Sequence, residues 1–217
     1  MLVDLLASRK TVSTKTRILD VGCGDGLFFD TLLKFGDVEG VEPAADFIDN
    51  NGPHRSRIHV GNFTRDLDLH GRFSIILMLD VLEHLDEPAA ALTYASDLLI
   101  PSGTLIITVP AFNLLWTRHD DINQHRTRYR KRALNELAIN AGLVVDLERY
   151  FFHWLFAAKL VTRGVECLSK REPTSPRVPR RWLNKMLYSL SLVESRLFQH
   201  LNAPFGSSLM LVAHKPN

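Results

Sequence analysis

The chain has 217 residues, 46% of them hydrophobic, which is enough for one large α/β domain whose core needs no disulfide or metal staples. Its two cysteines, Cys23 and Cys167, lie far apart and exclude a disulfide framework, which favours a reducing compartment. Net charge is only +2, but residues 1 to 100 hold 9 Lys and Arg against 16 Asp and Glu, while residues 101 to 217 hold 17 against 8; the basic half is suited to an anionic contact, with plain surface solvation as the alternative.

No leader of charged, apolar and small residues opens the sequence, and no apolar run approaches the roughly 20 residues of a membrane span, so the expectation is a cytoplasmic protein not integral to a membrane. Met1 to Lys10 predicts a short helix, read as a lid fragment or a frayed end, followed by a polar linker from Thr11 to Thr16. An apolar strand, Ile18 to Val21, then runs into Gly22, Gly24 and Gly26. Leu27, Phe28, Leu32, Leu33 and Phe35 follow at helical spacing, predicting a helix from Leu27 that Gly36 closes. This strand, turn and helix start suits a nucleotide-like ligand, although Gly-x-Gly-x-Gly is not the Gly-x-Gly-x-x-Gly of dinucleotide sites.

A second strand, Val38 to Val41, ends in Glu42 and Pro43, where an acid in a doubly wound sheet accepts hydrogen bonds from ribose hydroxyls. A helix over Ala44 to Asn50 and a third strand, Ile58 to Val60, come next, then Gly61-Asn62-Phe63. Phe73 to Leu79 is a nearly continuous apolar run, as for a central strand buried on both faces, and it ends in Asp80-Val81-Leu82-Glu83-His84-Leu85-Asp86-Glu87-Pro88. A helix over Ala89 to Leu99, a turn at Pro101-Ser102-Gly103 and a fifth strand, Thr104 to Val109, complete an alternation that predicts a parallel sheet with helices on both faces.

The glycine turn and the Asp80 to Pro88 segment together resemble the class I S-adenosylmethionine (SAM) dependent methyltransferases, most like bacterial type 11 and 12 members. The resemblance implies a Rossmann-like doubly wound seven-stranded, mostly parallel sheet with an antiparallel edge strand, and SAM as cofactor. Asp20, Gly22, Cys23, Gly24, Glu42, Pro43, Asn62, Phe63, Asp80 and Val81 are the cofactor-binding positions it implies, with Asp20 and Asp80 toward the methionine ammonium, Glu42 toward the ribose, and Asn62 and Phe63 toward adenine. Asn62 departs from the acid usual at that place. Helix amides after Gly26 would face the methionine carboxylate.

The loop from Pro110 to Arg130 is long enough to be functional, and it crowds Trp116, His119, Asp120, Asp121, His125, Arg126, Arg128 and Tyr129 beyond the fifth strand. Methyl transfer to oxygen or nitrogen needs a base, so His84, His119 and His125 are the catalytic candidates, with a structural role for His84 as the alternative. His125-Arg126-Thr127-Arg128-Tyr129 resembles a run in bacterial methyltransferases of polysaccharide and lipid pathways. Trp116, Arg126, Arg128 and Tyr129 are the substrate-binding candidates, the two arginines as a clamp for phosphate or carboxylate, against a purely structural loop paired to Asp120 and Asp121. No ligand set shows metal spacing, so no metal is expected.

A helix over Ala133 to Ala141 closed by Gly142, a sixth strand, Leu143 to Arg149, and a seventh, Ser208 to His214, finish the sheet. Residues 151 to 206 form an insertion within a single domain spanning 1 to 217. It carries Phe151, Phe152, Trp154, Leu155 and Phe156, a Pro- and Arg-rich stretch from Arg171 to Arg181, and a helix striped by Leu183, Met186, Leu187, Leu190, Val193, Leu197 and Leu201. It packs on the sheet or a second subunit as a homodimer, caps the pocket, or rests peripherally on the inner face of an anionic membrane, with Arg180, Arg181 and Lys185 beside its aromatics. The resulting expectation is methyl transfer to a hydroxyl or amine of an anionic or lipid-linked small molecule, a glycan or quinone precursor. The alternatives are a nucleic-acid methyltransferase, against which the absence of a recognition module counts, and a non-catalytic SAM-binding protein.

Overall fold

The computed structural model describes residues 2–8, 16–168, 181–198 and 203–217. The linker expected over 11–15, the Pro- and Arg-rich residues 171–180 and Leu201 lie outside them.

Seven strands form one sheet: β1 Arg17–Val21, β2 Asp37–Glu42, β3 Ile58–Val60, β4 Phe73–Leu79, β5 Leu99–Pro110, β6 Val144–Phe151 and β7 Ser208–His214, in the order β3-β2-β1-β4-β5-β7-β6. The first five pair in parallel. The antiparallel strand is β7, which lies between β5 and β6 and runs against both, so β6 is the outer strand of an antiparallel pair. Because successive side chains point to opposite faces, the apolar runs build a core on each side. Ile18, Val38, Ile75, Leu77, Ile106 and Val212 share one face; Leu19, Val21, Val41, Ile76, Met78 and Ile107 share the other.

Helices α1 Leu2–Ser8 and α2 Phe29–Leu32 cover the first face through the fully buried Leu6, Phe29 and Leu32, so the opening segment is anchored in the core. Helices α3 Pro88–Leu98 and α5 Lys131–Asn140 cover the second through Leu92, Ala95, Leu134 and Ala138. A five-residue helix between them, α4 Arg118–Ile122, lies in the long loop.

Three local expectations are corrected. The helix from Leu27 to Gly36 is only the single turn of α2 within a run of turns: Leu27 is 89% exposed, and of the segment's apolar residues only Phe29 and Leu32 are fully buried, with Phe28 and Phe35 packed at the core's edge. Ala44 to Asn50 forms one 3-10 turn, Ala45–Phe47, with Phe47 72% exposed; lacking an apolar stripe, the segment gains nothing from helix formation. The turn at Pro101-Ser102-Gly103 is a bulge inside β5, where Ser102 adopts φ 58° and the pairing to β4 jumps from Leu99 to Thr104.

Between β6 and β7 stand α6 His153–Leu168 and α7 Arg181–Phe198. They are joined by the Glu194 carboxylate of α7, which accepts from the His153 amide at 2.8 Å and the Trp154 amide at 3.1 Å and so caps the first turn of α6. The stripe expected on α7 is present but open: Met186, Leu190, Val193 and Leu197 are exposed, as are Val161 and Val165 of α6.

Candidate active site

The strand order reverses between β1 and β4, and in open α/β sheets ligands bind beyond the carboxyl ends of the strands at such a point. The glycine turn occupies that position. Gly22 and Gly24 have φ of 74° and 58°, backbone that side-chain-bearing residues rarely adopt. A Cβ on Gly22 would lie 2.7 Å from Val81 Cγ2, so Gly22 brings the turn against the end of β4, whereas nothing stands within 4 Å of where a Gly24 Cβ would be. The turn therefore offers an open shelf at Gly24.

Glu42 organises this shelf. Its buried carboxylate accepts from the Gly24 amide at 3.0 Å and the Ala44 amide at 2.9 Å, one bond to each oxygen. A carboxylate has about four acceptor positions, which leaves capacity for two hydroxyls. Pro43 beside it is exposed. The turn amides are largely committed to protein, Gly22 and Cys23 donating to Val41 O at 2.8 and 3.2 Å. With α2 beginning only at Phe29 and four residues long, the expected helix end facing the methionine carboxylate is absent from this structure.

Two acids flank the turn. Burial raises the Asp20 carboxyl to about 7. Asp80 adopts φ 53° at the end of β4, donates its amide to Thr108 O at 2.9 Å and accepts from the Thr108 hydroxyl at 3.3 Å. It opens to solvent, yet the surrounding protein still lifts its carboxyl above the ordinary value, against the Thr108 hydroxyl and the cations nearby. Two acids at the rim of the turn fit a ligand bearing an ammonium. Burial, then Asp20 and Glu42, push the Cys23 thiol up to about 12, which leaves it an inert wall of the turn. Beyond β3, Asn62 is exposed, whereas Phe63 is buried with its ring 4.9 Å from that of Tyr94. The shelf, the Glu42 carboxylate and the paired acids fit SAM.

The long loop supplies the other half. Thr117 and Asp120 close a reciprocal capping box on α4, a Thr-x-x-Asp signal visible in the sequence. Asp120 is wholly buried and accepts from His125 Nδ1 at 2.8 Å and from Arg128 Nε and Nη2 at 2.9 and 3.0 Å. Burial pushes its carboxyl up, but the Thr117 amide, Arg128 and His125 outweigh it, and the group sits below its ordinary value. The His125 ring meets that of His84 edge-on at 4.8 Å. Burial, then His125, holds the exposed His84 below its usual value. His119, also lowered by burial and then by Lys159, is exposed and bonded to Asn123 at 3.0 Å.

The substrate-binding candidates divide. Arg128 has no exposed side-chain surface and is consumed by Asp120 and by Ala111 O at 3.1 Å, and Tyr129 is buried with its hydroxyl on Leu82 O at 3.3 Å. Arg128 thus satisfies buried groups of the loop, and Tyr129 ties the loop to the turn after β4. Arg126 donates to His84 O and to Asp86, each at 3.1 Å, tying the loop to the turn after β4. Trp116 is half-buried with Nε1 on Asp121 at 2.9 Å.

Sequence reading missed Glu83 and Phe112. Glu83 is 1% exposed, raised to about 8 by burial and then by Asp80, and neither oxygen has a hydrogen-bond partner among the described residues. Its carboxylate and the rings of His84 and His125 offer ligand atoms within 4.8 Å of one another, the arrangement a metal ion would need. Phe112, at φ 57° past β5, stacks on Tyr150 at 4.7 Å and forms an aromatic wall.

Residues 2–148 match the family model described as a methyltransferase domain. A ubiquinone biosynthesis O-methyltransferase of Rhodopseudomonas palustris (strain TIE-1) is 31% identical over 97 residues, 42% of this chain and 38% of that protein. The corresponding enzyme of Nitrobacter winogradskyi is 33% identical over 95 residues, 41% of this chain and 36% of that protein. The matches thus span well under half the length of these curated relatives. In fold, the chain is similar to a SAM-dependent methyltransferase from Archaeoglobus fulgidus (TM-score 0.59, 16% identity, 99% of this chain and 93% of that one). It is likewise similar to Haemonchus contortus phosphoethanolamine N-methyltransferase 2 in complex with SAM (TM-score 0.64, 14% identity, 100% and 52%).

Proposed function

Because this chain belongs to the class I SAM-dependent methyltransferases, we propose that it transfers the SAM methyl group to a hydroxyl of an anionic or lipid-linked small molecule, such as a glycan or quinone precursor. The observation that carries the acceptor chemistry is the row Asp120, His125, His84 beside Asp80. Bound SAM supplies an electrophilic methyl on its sulfonium. The chain's residues then have two tasks, to align the nucleophile and to remove its proton.

Gly24, Glu42, Asp20 and Asp80 hold the cofactor: Glu42 through its spare acceptor positions, the two aspartates through the ammonium. An ionised Asp120 only accepts hydrogen bonds, so Nδ1 of His125 carries a proton and Nε2 is the nitrogen left to take one from the acceptor hydroxyl. His84 orients His125 from the side, and His119 stands further out on the same loop. The O-methyltransferase relatives favour oxygen over nitrogen as the acceptor atom.

The surface supports a peripheral membrane contact. Residues 151–206 hold 9 Lys and Arg against 3 Asp and Glu, and α6 and α7 expose apolar side chains, a combination suited to an anionic bilayer surface. Among the described residues, no helix is long and apolar enough to cross a membrane.

The test is transfer of labelled methyl from SAM into a bacterial extract separated into lipid, glycan, small-molecule, protein and nucleic-acid fractions. Label in the lipid, glycan or small-molecule fractions supports this reading. Label in nucleic acid overturns the acceptor class, and SAM binding without transfer supports a non-catalytic role.

A further inference from the structure

Helix α6 leaves the carboxyl end of β6, on the side of the sheet where the site lies, and packs over the loop that carries Asp120 and His125. Phe156, Lys159, Arg163 and Glu166 recur along it at intervals of three and four and therefore share one face. Three of these four have partners on the loop. The Phe156 ring meets Phe112 edge-on at 5.9 Å, Arg163 Nη1 donates to Trp116 O at 2.8 Å, and Glu166 Oε2 accepts from the Arg118 amide at 3.1 Å.

Lys159 lies between them on the same face, half-buried, and makes no hydrogen bond or ion pair with any described residue. Burial, then Arg128, holds its ammonium below the ordinary value, with Asp120, Asp80 and Glu166 acting the other way. A desolvated ammonium lacking an acceptor is costly, and neither nearby site acid bonds it. Asp120 is committed to Thr117, His125 and Arg128, and Asp80 accepts from Thr108. The two arginines that the sequence offered as an anion clamp are engaged elsewhere, Arg128 on Asp120 and Arg126 on Asp86.

We propose that Lys159 is the anion-recognition residue of the acceptor site, taking a carboxylate or phosphate group of the acceptor beside the aromatic wall of Phe112 and Phe156. This deepens the methyl-transfer reading and rests on it. An acceptor oxyanion would partner the one of these four described positions that lacks a partner and place the acceptor between that helix and His125.

The test is calorimetric titration of the chain loaded with S-adenosylhomocysteine, using benzoate and phenyl phosphate as anionic aromatic probes and benzamide as the neutral one. The wild type should bind at least one anion roughly tenfold more tightly than benzamide. Lys159→Met should erase that preference without changing affinity for S-adenosylhomocysteine, and Lys159→Arg should restore most of it. An anion preference that survives in Lys159→Met, or none in the wild type, overturns the assignment and leaves the methyl-transfer reading standing. A chain that takes no S-adenosylhomocysteine fails that reading, and this inference with it.

Discussion

Asp120 Oδ1 lies 2.8 Å from His125 Nδ1, while the same carboxylate is forked by Arg128 in a pair with no exposed side-chain surface. One buried acid thus both orients the proposed base and neutralises a buried cation. These roles separate on mutation.

His125→Ala should keep SAM affinity but lower kcat by about 10²- to 10⁴-fold, the usual contribution of a positioned base. Asp120→Asn should also lower thermal stability, because it leaves Arg128 buried without its counter-charge, at a cost of about 3–5 kcal/mol. Steady-state kinetics with thermal denaturation of both variants separates the two effects. Wild-type turnover in His125→Ala would remove that residue from the chemistry.

Glu42→Ala should weaken SAM binding by roughly 10- to 100-fold, since it deletes the proposed charge-assisted bonds to the ribose together with the bonds that hold Gly24 and Ala44. Titration calorimetry reads this directly, and unchanged affinity would sink the ribose assignment.

Asp20 sets a pH dependence whose sign follows from burial. Its carboxyl rises from 3.8 to about 7, so the cofactor-free fold binds a proton that the unfolded chain has already released. This group therefore makes the free protein less stable as pH rises from about 4 to 7, with no further loss above. The cofactor's ammonium favours the ionised acid, so SAM affinity should climb by up to about tenfold per pH unit toward 7 and then level off. Calorimetry from pH 5.5 to 8.5 on the wild type and Asp20→Asn checks it; a slope that persists in the variant assigns the proton to another group.

The exposed faces of α6 and α7 should bind vesicles containing anionic lipid and leave purely zwitterionic ones, with binding that falls as salt rises. Met186→Glu with Val193→Glu should reduce co-sedimentation at least several-fold without altering SAM affinity. Equal binding to both vesicle types would remove the electrostatic part of the argument.

The sheet was largely legible because its signals are local. A strand buried on both faces reads as an apolar run, and Phe73–Leu79 and Ser208–His214 fell where the pattern put them. The glycine turn and the strand-end place of Glu42 were legible for the same reason, since each is set within one strand and the turn that follows it. Helices were less so: Leu27 to Gly36 and Ala44 to Asn50 have apolar residues at suggestive intervals, but a helix is held by the face it buries, and exposed Leu27 and Phe47 bury none.

The sequence by itself determined the sheet, the glycine shelf and the acids at its rim, each encoded within a strand and the turn that follows it. Only the tertiary structure decided which charges on the acceptor side are free. Arg126 and Arg128 read as a clamp until folding turned them onto Asp86 and Asp120, while Lys159, some 30 residues further on, was left between partnered neighbours. Neutralising a buried charge depends on where distant segments meet, and spacing along the chain does not record it.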